Sequence, residues 1–232
     1  MTNHDPAPFL ADVLGTNDLL YRTMPIHDQV ALLWILANLK PAVAVEIGTY
    51  RGGSLQMIAH YAKKVYALDV NPAVRGFEKQ FPNVAARVGS SLATLPALLR
   101  ELSRTDAPDG PLGFILVDGC HERAAVLADL SAILAHVVPR TRLVVLLHDD
   151  VIPETRAAIR AAPWAECPFA YSLAFDLTPG IVCEEPEARG IMRGGFAMAV
   201  LGPAPRVGEF AVVEHAPLTH KCMWTGRDAL RG

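Results

Sequence analysis

Residues 43–55, VAVEIGTYRGGSL, restrict the architecture of the chain more than any other stretch. Apolar and β-branched residues run up to an acid, Glu46, a turn carrying Gly48 and Gly52 follows, and residues 54–61 then read as helix. The pattern is strand, tight turn, helix. The two glycines would let the backbone pass close to a ligand, and the helix N-terminus would present unpaired N–H groups to it. The spacing is not G-x-G-x-x-G, so the dinucleotide fingerprint is absent. A βα turn with two convenient glycines and no ligand reads the same way, so the later strands have to decide.

Those strands supply acids at matching places. Residues 65–70, VYALDV, form a short apolar strand that ends in Asp69 before an Asn71-Pro72 turn. A carboxylate at that tip can accept both hydroxyls of a ribose, and it follows Gly48 at the usual spacing of about 20 residues. An Asp that merely opens the turn is the other reading. The third strand, residues 84–88, closes with Gly89-Ser90-Ser91, which either lines an adenine pocket or caps a helix over residues 92–102; the two are compatible. The fourth strand, residues 112–117, is wholly apolar and therefore central, and it delivers Asp118-Gly119-Cys120-His121. A helix over 122–137 precedes the fifth strand, residues 143–147, LVVLL, which ends in His148-Asp149-Asp150. Open α/β sheets bind ligands at the carboxyl ends of their strands, so these groups converge on the site that the glycine loop opens.

The remaining segments fill out one domain. Residues 25–39 place Ile26, Val30, Leu33, Ile35, Leu36 and Leu39 at helical spacing, predicting a helix that packs on the sheet or caps the site. A helix over 153–161 starts at Pro153. Strands over 169–175 and 195–201 flank a loop holding Pro179-Gly180, the acidic run 184–187 and Arg189-Gly190, and a short strand follows at 209–213. A chain of 232 residues suits a single unit: a helical lead-in over 1–40, a core over 41–201 and a tail over 202–232. A net charge of −3 with no basic stripe argues against a nucleic-acid partner. The four cysteines, Cys120, Cys167, Cys183 and Cys222, form no C-x-x-C pair, which points to free thiols in a reducing cytoplasm rather than zinc or disulfides. The first residues lack the pattern of a secretory leader, and no uncharged apolar run reaches ~18 residues, so no membrane span is expected.

Taken together, VEIGTYRGGS, VYALDV, VDGCH and LLHDDVI resemble class I methyltransferases dependent on S-adenosylmethionine (SAM). The likeness is to the cation-dependent catechol and caffeoyl-CoA O-methyltransferases, and to the bacterial methyltransferase-24, or cephalosporin-hydroxylase-like, family. The resemblance implies a Rossmann-like fold: a seven-stranded, mostly parallel sheet with an antiparallel C-terminal strand and helices on both faces. It implies SAM as cofactor, held by Glu46, Gly48, Thr49, Tyr50, Gly52, Ser54, Asp69, Val70, Gly89, Ser90, Ser91 and Asp118. In the catechol enzymes an acid ends the fourth strand, a base lysine follows three residues on, and an Asp-Asn pair ends the fifth; here those places hold Asp118, His121 and Asp149-Asp150.

Three carboxylates on neighbouring strand ends repel unless a cation neutralises them, and oxygen ligands suit Mg²⁺ or another hard divalent ion. Asp118, Asp149 and Asp150 are thus the expected metal ligands. His121 is the expected base, while His148 reads as a second base, a metal ligand or a core-facing histidine. The implied reaction is methyl transfer to a hydroxyl of a small molecule. A metal-free N- or C-methyltransferase, or a SAM-binding module without activity, is the alternative, and a homodimer is left open.

Overall fold

A computed structural model describes residues 24–183 and 190–214. The described residues open on helix α1 (Ile26–Leu39) and then alternate strand and helix: β1 (Val43–Ile47), α2 (Gly53–Tyr61), β2 (Lys64–Asp69), a 3₁₀ turn (Pro72–Gly76) leading into the short α3 (Phe77–Gln80), β3 (Val84–Val88), α4 (Ser91–Leu102), β4 (Leu112–Val117), α5 (Arg123–His136), β5 (Leu143–His148) and α6 (Pro153–Ala161). The last described elements are β6 (Ala170–Val182), β7 (Met192–Leu201) and β8 (Ala211–Glu214). All strands join one sheet in the order β3-β2-β1-β4-β5-β7-β6-β8. The first five pair in parallel, and β7 runs antiparallel to both β5 and β6.

Alternation along the central strands explains why both faces are covered. Val43, Val45 and Ile47 of β1, with Ile115 and Val117 of β4 and Leu143, Val145 and Leu147 of β5, face α4, α5 and α6. Their neighbours Ala44, Phe114, Leu116, Val144 and Leu146 face α1, α2 and α3. Each strand spends both of its faces on core, which is why β4 and β5 read as unbroken apolar runs. Because parallel strands share direction, all five carboxyl ends emerge at one edge.

Three expectations change here. The sheet has eight strands instead of seven: β8 adds to the free edge of β6 through Ser172–Phe175, parallel to it. The strand expected to stop at Phe175 bulges around Asp176, which has φ 55, and continues through Pro179 to Val182. Proline is tolerated there because, among the described residues, the β8 pairing stops at Phe175 and that side of β6 needs no donor. On α1 the buried stripe is Asp28, Gln29, Leu32, Leu33, Ile35 and Leu36, while Ile26 and Val30 are exposed. The lead-in over 1–23, the acidic run 184–187 and the tail beyond 214 lie outside the described residues.

Candidate functional site

A cleft of about 970 Å³ crosses the carboxyl ends of β3, β2, β1, β4 and β5 in that order. Gly89-Ser90-Ser91 lies at its β3 end, followed by Asp69, then Gly48 and Thr49, then Asp118, and finally His148 and Asp149. His121 opens onto the same space from the loop after β4.

The glycine loop is anchored from below and from the side. Gly48 has φ +88, and a Cβ there would meet the Asp118 carbonyl oxygen at 2.3 Å and the Gly119 Cα at 2.4 Å. Its glycine is therefore required by the loop after β4, which presses against it; closeness to a ligand is not needed to explain it. Gly52, with φ +81, ends the turn and precedes α2. Asp69 draws the turn toward β2: its Oδ2 accepts from the Thr49 and Tyr50 N–H groups at 3.0 and 2.8 Å, and its Oδ1 from Asn71 N–H at 2.8 Å. A carboxylate has about four acceptor positions, so Asp69 both shapes the loop and keeps capacity toward the cleft. Asp69→Ala should weaken SAM binding at least about tenfold, read by calorimetry on protein that keeps its circular dichroism spectrum. Unchanged affinity would make Asp69 a turn residue alone.

Glu46 is fully buried where β1 ends, with Oε2 accepting from the Thr49 hydroxyl at 2.9 Å. Oε1 has no hydrogen-bond partner among the described residues. Burial pushes the carboxyl up to about 8, offset in part by the hydroxyls of Ser54, which acts without an aligned bond, and Thr49. Since the unfolded chain ionises near 4.5, the native state binds the extra proton between those values, and stability is lost as pH rises through that window. Glu46→Gln should flatten this slope, which amounts to roughly a few kcal/mol, in melting curves taken from about pH 5 to about pH 8.5. Identical slopes in the two proteins would overturn the assignment.

At the other end of the cleft the acids are tied together by a buried histidine. His148 Nδ1 lies 3.0 Å from Asp118 Oδ1 and 3.4 Å from Asp149 Oδ2, and Nε2 lies 3.2 Å from Asp28 Oδ2. Burial alone would discharge this ring, but the carboxylates of Asp118, Asp149 and Asp28 outweigh it and hold its pKa well above the ordinary histidine value. The ring is thus a donor to its acids, matching the core-facing reading better than that of a free base. Asp149 sits at φ 58, a left-handed conformation that Asp tolerates better than most residues. Its Oδ1 accepts from Gly194 N–H, and burial notwithstanding, His148 and that bond hold its carboxyl down at about 2.

His121 is exposed on the far side, with Nε2 3.4 Å from Asp149 Oδ2. Asp118, His121 and Asp149 each offer a ligand atom within 4.8 Å of the others. Asp150 does not join them. Its side chain is fully buried on the other side of the turn, where Oδ2 accepts from Asp176 N–H at 2.9 Å and lies 3.4 Å from Arg156. Burial raises its pKa to about 6 even beside that guanidinium, which is paired bidentately with Asp176 at 2.9 and 2.8 Å. The left-handed turn at Asp149 sends the two neighbouring acids in different directions, so His121 takes the place expected of Asp150.

Asp28 of α1 is the site residue that the sequence reading missed. It is completely buried, accepts from the Thr178 hydroxyl and from Gly195 N–H at 3.0 Å, and floors the histidine. The available signal was its place on one stripe with Leu32 and Leu36. Thr178 and the Gly194-Gly195 pair, both glycines at φ +78, come from the β6–β7 hairpin and carried no such signal. At the β3 end, Ser90 is the N-cap of α4 by conformation, although its side chain makes no capping bond. Val70 is 72% exposed beside Asp69. No helix among the described residues is long and apolar enough to cross a membrane.

Comparison with known proteins agrees with this geometry. Residues 45–150 match the family model described as a methyltransferase domain. No curated protein matches the sequence. Among solved structures, the chain is similar to an O-methyltransferase from Bacillus cereus in complex with SAH, at 19% identity over 84% of this chain and 96% of that one, with a TM-score of 0.59. A putative O-methyltransferase from Klebsiella pneumoniae gives 16% identity over 85% and 96%, with a TM-score of 0.53. An rRNA methylase from Streptococcus thermophilus gives 16% identity over 78% and 98%, with a TM-score of 0.50. The matched segment spans β1 through the turn after β5 and contains the glycine loop and the strand-end acids, and the chain has the Rossmann-like fold of the class I SAM-dependent methyltransferases.

Proposed function

We propose that this protein transfers a methyl group from SAM to a hydroxyl of a small molecule, with a divalent cation at Asp118, His121 and Asp149. The observation that carries the reading is one cleft shared by two groups of residues: the Gly48–Asp69 end and the Asp118–His121–Asp149 end. The fit to SAM rests on the spare acceptor capacity of Asp69 and a volume large enough for a nucleoside, an amino-acid tail and a small acceptor. SAM supplies an already activated methyl group, so the chain has only to orient, shield and remove a proton.

Two carboxylates and an imidazole fit a divalent ion. The nitrogen donor shifts preference from Mg²⁺, which takes oxygen ligands, toward first-row ions such as Mn²⁺. Such an ion lowers the pKa of a bound hydroxyl and fixes its direction. His121, exposed at the rim with Nε2 3.4 Å from Asp149 Oδ2, can accept the proton when it is not a ligand. The net charge of −3 supports a small acceptor over RNA.

A metal-free variant of this reading has one observation in its favour. His148, held between Asp28 and Asp118, already places a positive charge among the acids, so their proximity alone does not demand a metal. Isothermal titration separates methyl transfer from nicotinamide chemistry: SAM and S-adenosylhomocysteine should bind and NADH should not. Binding of NADH in preference to SAM would overturn the proposal.

A further inference from the structure

A cation in the wall of the cleft has no counter-ion. Arg193 lies near the start of β7, across from Ile181 of β6, and lines the cleft beside Gly194. Gly194 donates its N–H to Asp149, which fixes the Arg193 backbone next to the Asp118–His121–Asp149 group. Arg193 is exposed, and it makes no ion pair or hydrogen bond among the described residues. Arg156 and Arg160 differ from it, each being paired, with Asp176 and Glu214. The acids nearest to Arg193 in the chain fold are already engaged. Asp118 lies 3.0 Å from His148, and Asp149 lies 3.4 Å from both His148 and His121. Beside the arginine the wall is apolar: a Cβ on Gly194 would meet Pro25 at 2.9 Å, and Met24 and the 41% exposed Ile181 line the same cleft. A guanidinium fork at the end of an apolar wall is complementary to an anionic oxygen group on a molecule with an apolar body.

We propose that Arg193 binds a carboxylate or phosphate group of the methyl acceptor, so that the enzyme selects acidic hydroxyl compounds. The inference rests on the SAM-dependent reading above and names the class of its acceptor. Placement supports it. The acceptor hydroxyl belongs at Asp118, His121 and Asp149, and a single residue, Gly194, separates the Asp149 contact from Arg193. A small molecule held by its hydroxyl there can present its other end to the guanidinium while Pro25 and Ile181 cover its body. Charge supports it as well. A divalent ion would cancel the carboxylates of Asp118 and Asp149, which then no longer repel an anion, and Arg193 stays as uncancelled positive charge. The planar fork can donate two parallel N–H bonds to either kind of oxygen group.

The test is calorimetry on protein loaded with S-adenosylhomocysteine and Mn²⁺, using ligand pairs that differ in charge. The para isomers of hydroxybenzoate, hydroxyphenylacetate and hydroxyphenylpropionate are each compared with the matching primary amide, which sets the reach. Hydroxyphenyl phosphate, compared with hydroquinone, forms the phosphate arm. In the wild type at least one anion should bind about tenfold or more tightly than its neutral partner, as expected of a charge-assisted pair of hydrogen bonds. Arg193→Gln should bring that pair within about twofold, and Arg193→Lys, which keeps the charge without the fork, should fall between. The arm with the larger wild-type preference identifies the group as carboxylate or phosphate. Absence of any anion preference in the wild type, including failure of every pair to bind, overturns the proposal while the bound S-adenosylhomocysteine leaves the SAM reading standing. A preference that survives in Arg193→Gln overturns it too, because the anion is then held by the metal or another part of the cleft. If the wild type does not bind S-adenosylhomocysteine at all, the SAM reading fails and takes this inference with it.

Discussion

Replacing Gly48 with alanine should cripple the protein more than any other single methyl group could. The added Cβ would sit 2.3 Å from the Asp118 carbonyl and 2.4 Å from the Gly119 Cα, both backbone atoms that cannot rotate away. The residue must also hold φ +88, which costs an L-residue roughly 1–2 kcal/mol before any clash. Separation of the β1 and β4 loops is the only relief, and those loops carry Thr49 and Asp118. A loss of at least about 3 kcal/mol is expected, lowering Tm by roughly 6–12 °C for a chain of this size. SAM affinity should fall with it, since Asp69 holds the same turn through Thr49 and Tyr50. A melting scan and a titration on one preparation check both, and a Tm within about 2 °C of wild type would refute the expectation.

Thorough chelation should abolish turnover, and Mn²⁺ should restore it more effectively than Mg²⁺. The donor set Asp118, His121 and Asp149 contains an imidazole nitrogen that Mg²⁺ does not favour. SAM binding should survive chelation, because the Gly48 and Asp69 end of the cleft is built from other strands. Asp149→Asn should copy the chelated state: it removes a charged ligand, and Asn tolerates the left-handed backbone at φ 58. His121→Ala should lower kcat by roughly 10²–10⁴-fold whether it acts as ligand or base, with SAM affinity retained. Turnover that persists in protein shown free of metal would leave the metal-free variant, in which the positive charge of His148 organises the acids.

The site divides into residues whose place could be read along the chain and residues whose place could not. Gly48, Asp69, Asp118 and Asp149 each lie at the carboxyl end of a strand, and they line one cleft as expected from strand ends alone, while Glu46 is buried beneath the glycine loop. Asp150 was grouped with them on adjacency, yet it turns toward Arg156 and Asp176. Sequence leaves His148 three roles, and the contacts of its two ring nitrogens with Asp118 and Asp28 distinguish them. Asp28 itself lies 120 residues from His148 in sequence, and only the packing of α1 against β6 and β7 brings the pair together.

What the sequence by itself determined was the order of strands and helices and the shared edge of the strand-end acids. That information is local: apolar runs bounded by turns define each βα unit, and parallel pairing then carries every carboxyl end to one side. Tertiary structure decided which acids face which way. A left-handed residue at Asp149, a bulge at Asp176 and the paired glycines 194 and 195 each break the two-residue alternation on which such directions depend. The partners these breaks select, Arg156 for Asp150 and Gly194 for Asp149, come from separate elements whose registers no short stretch of sequence encodes.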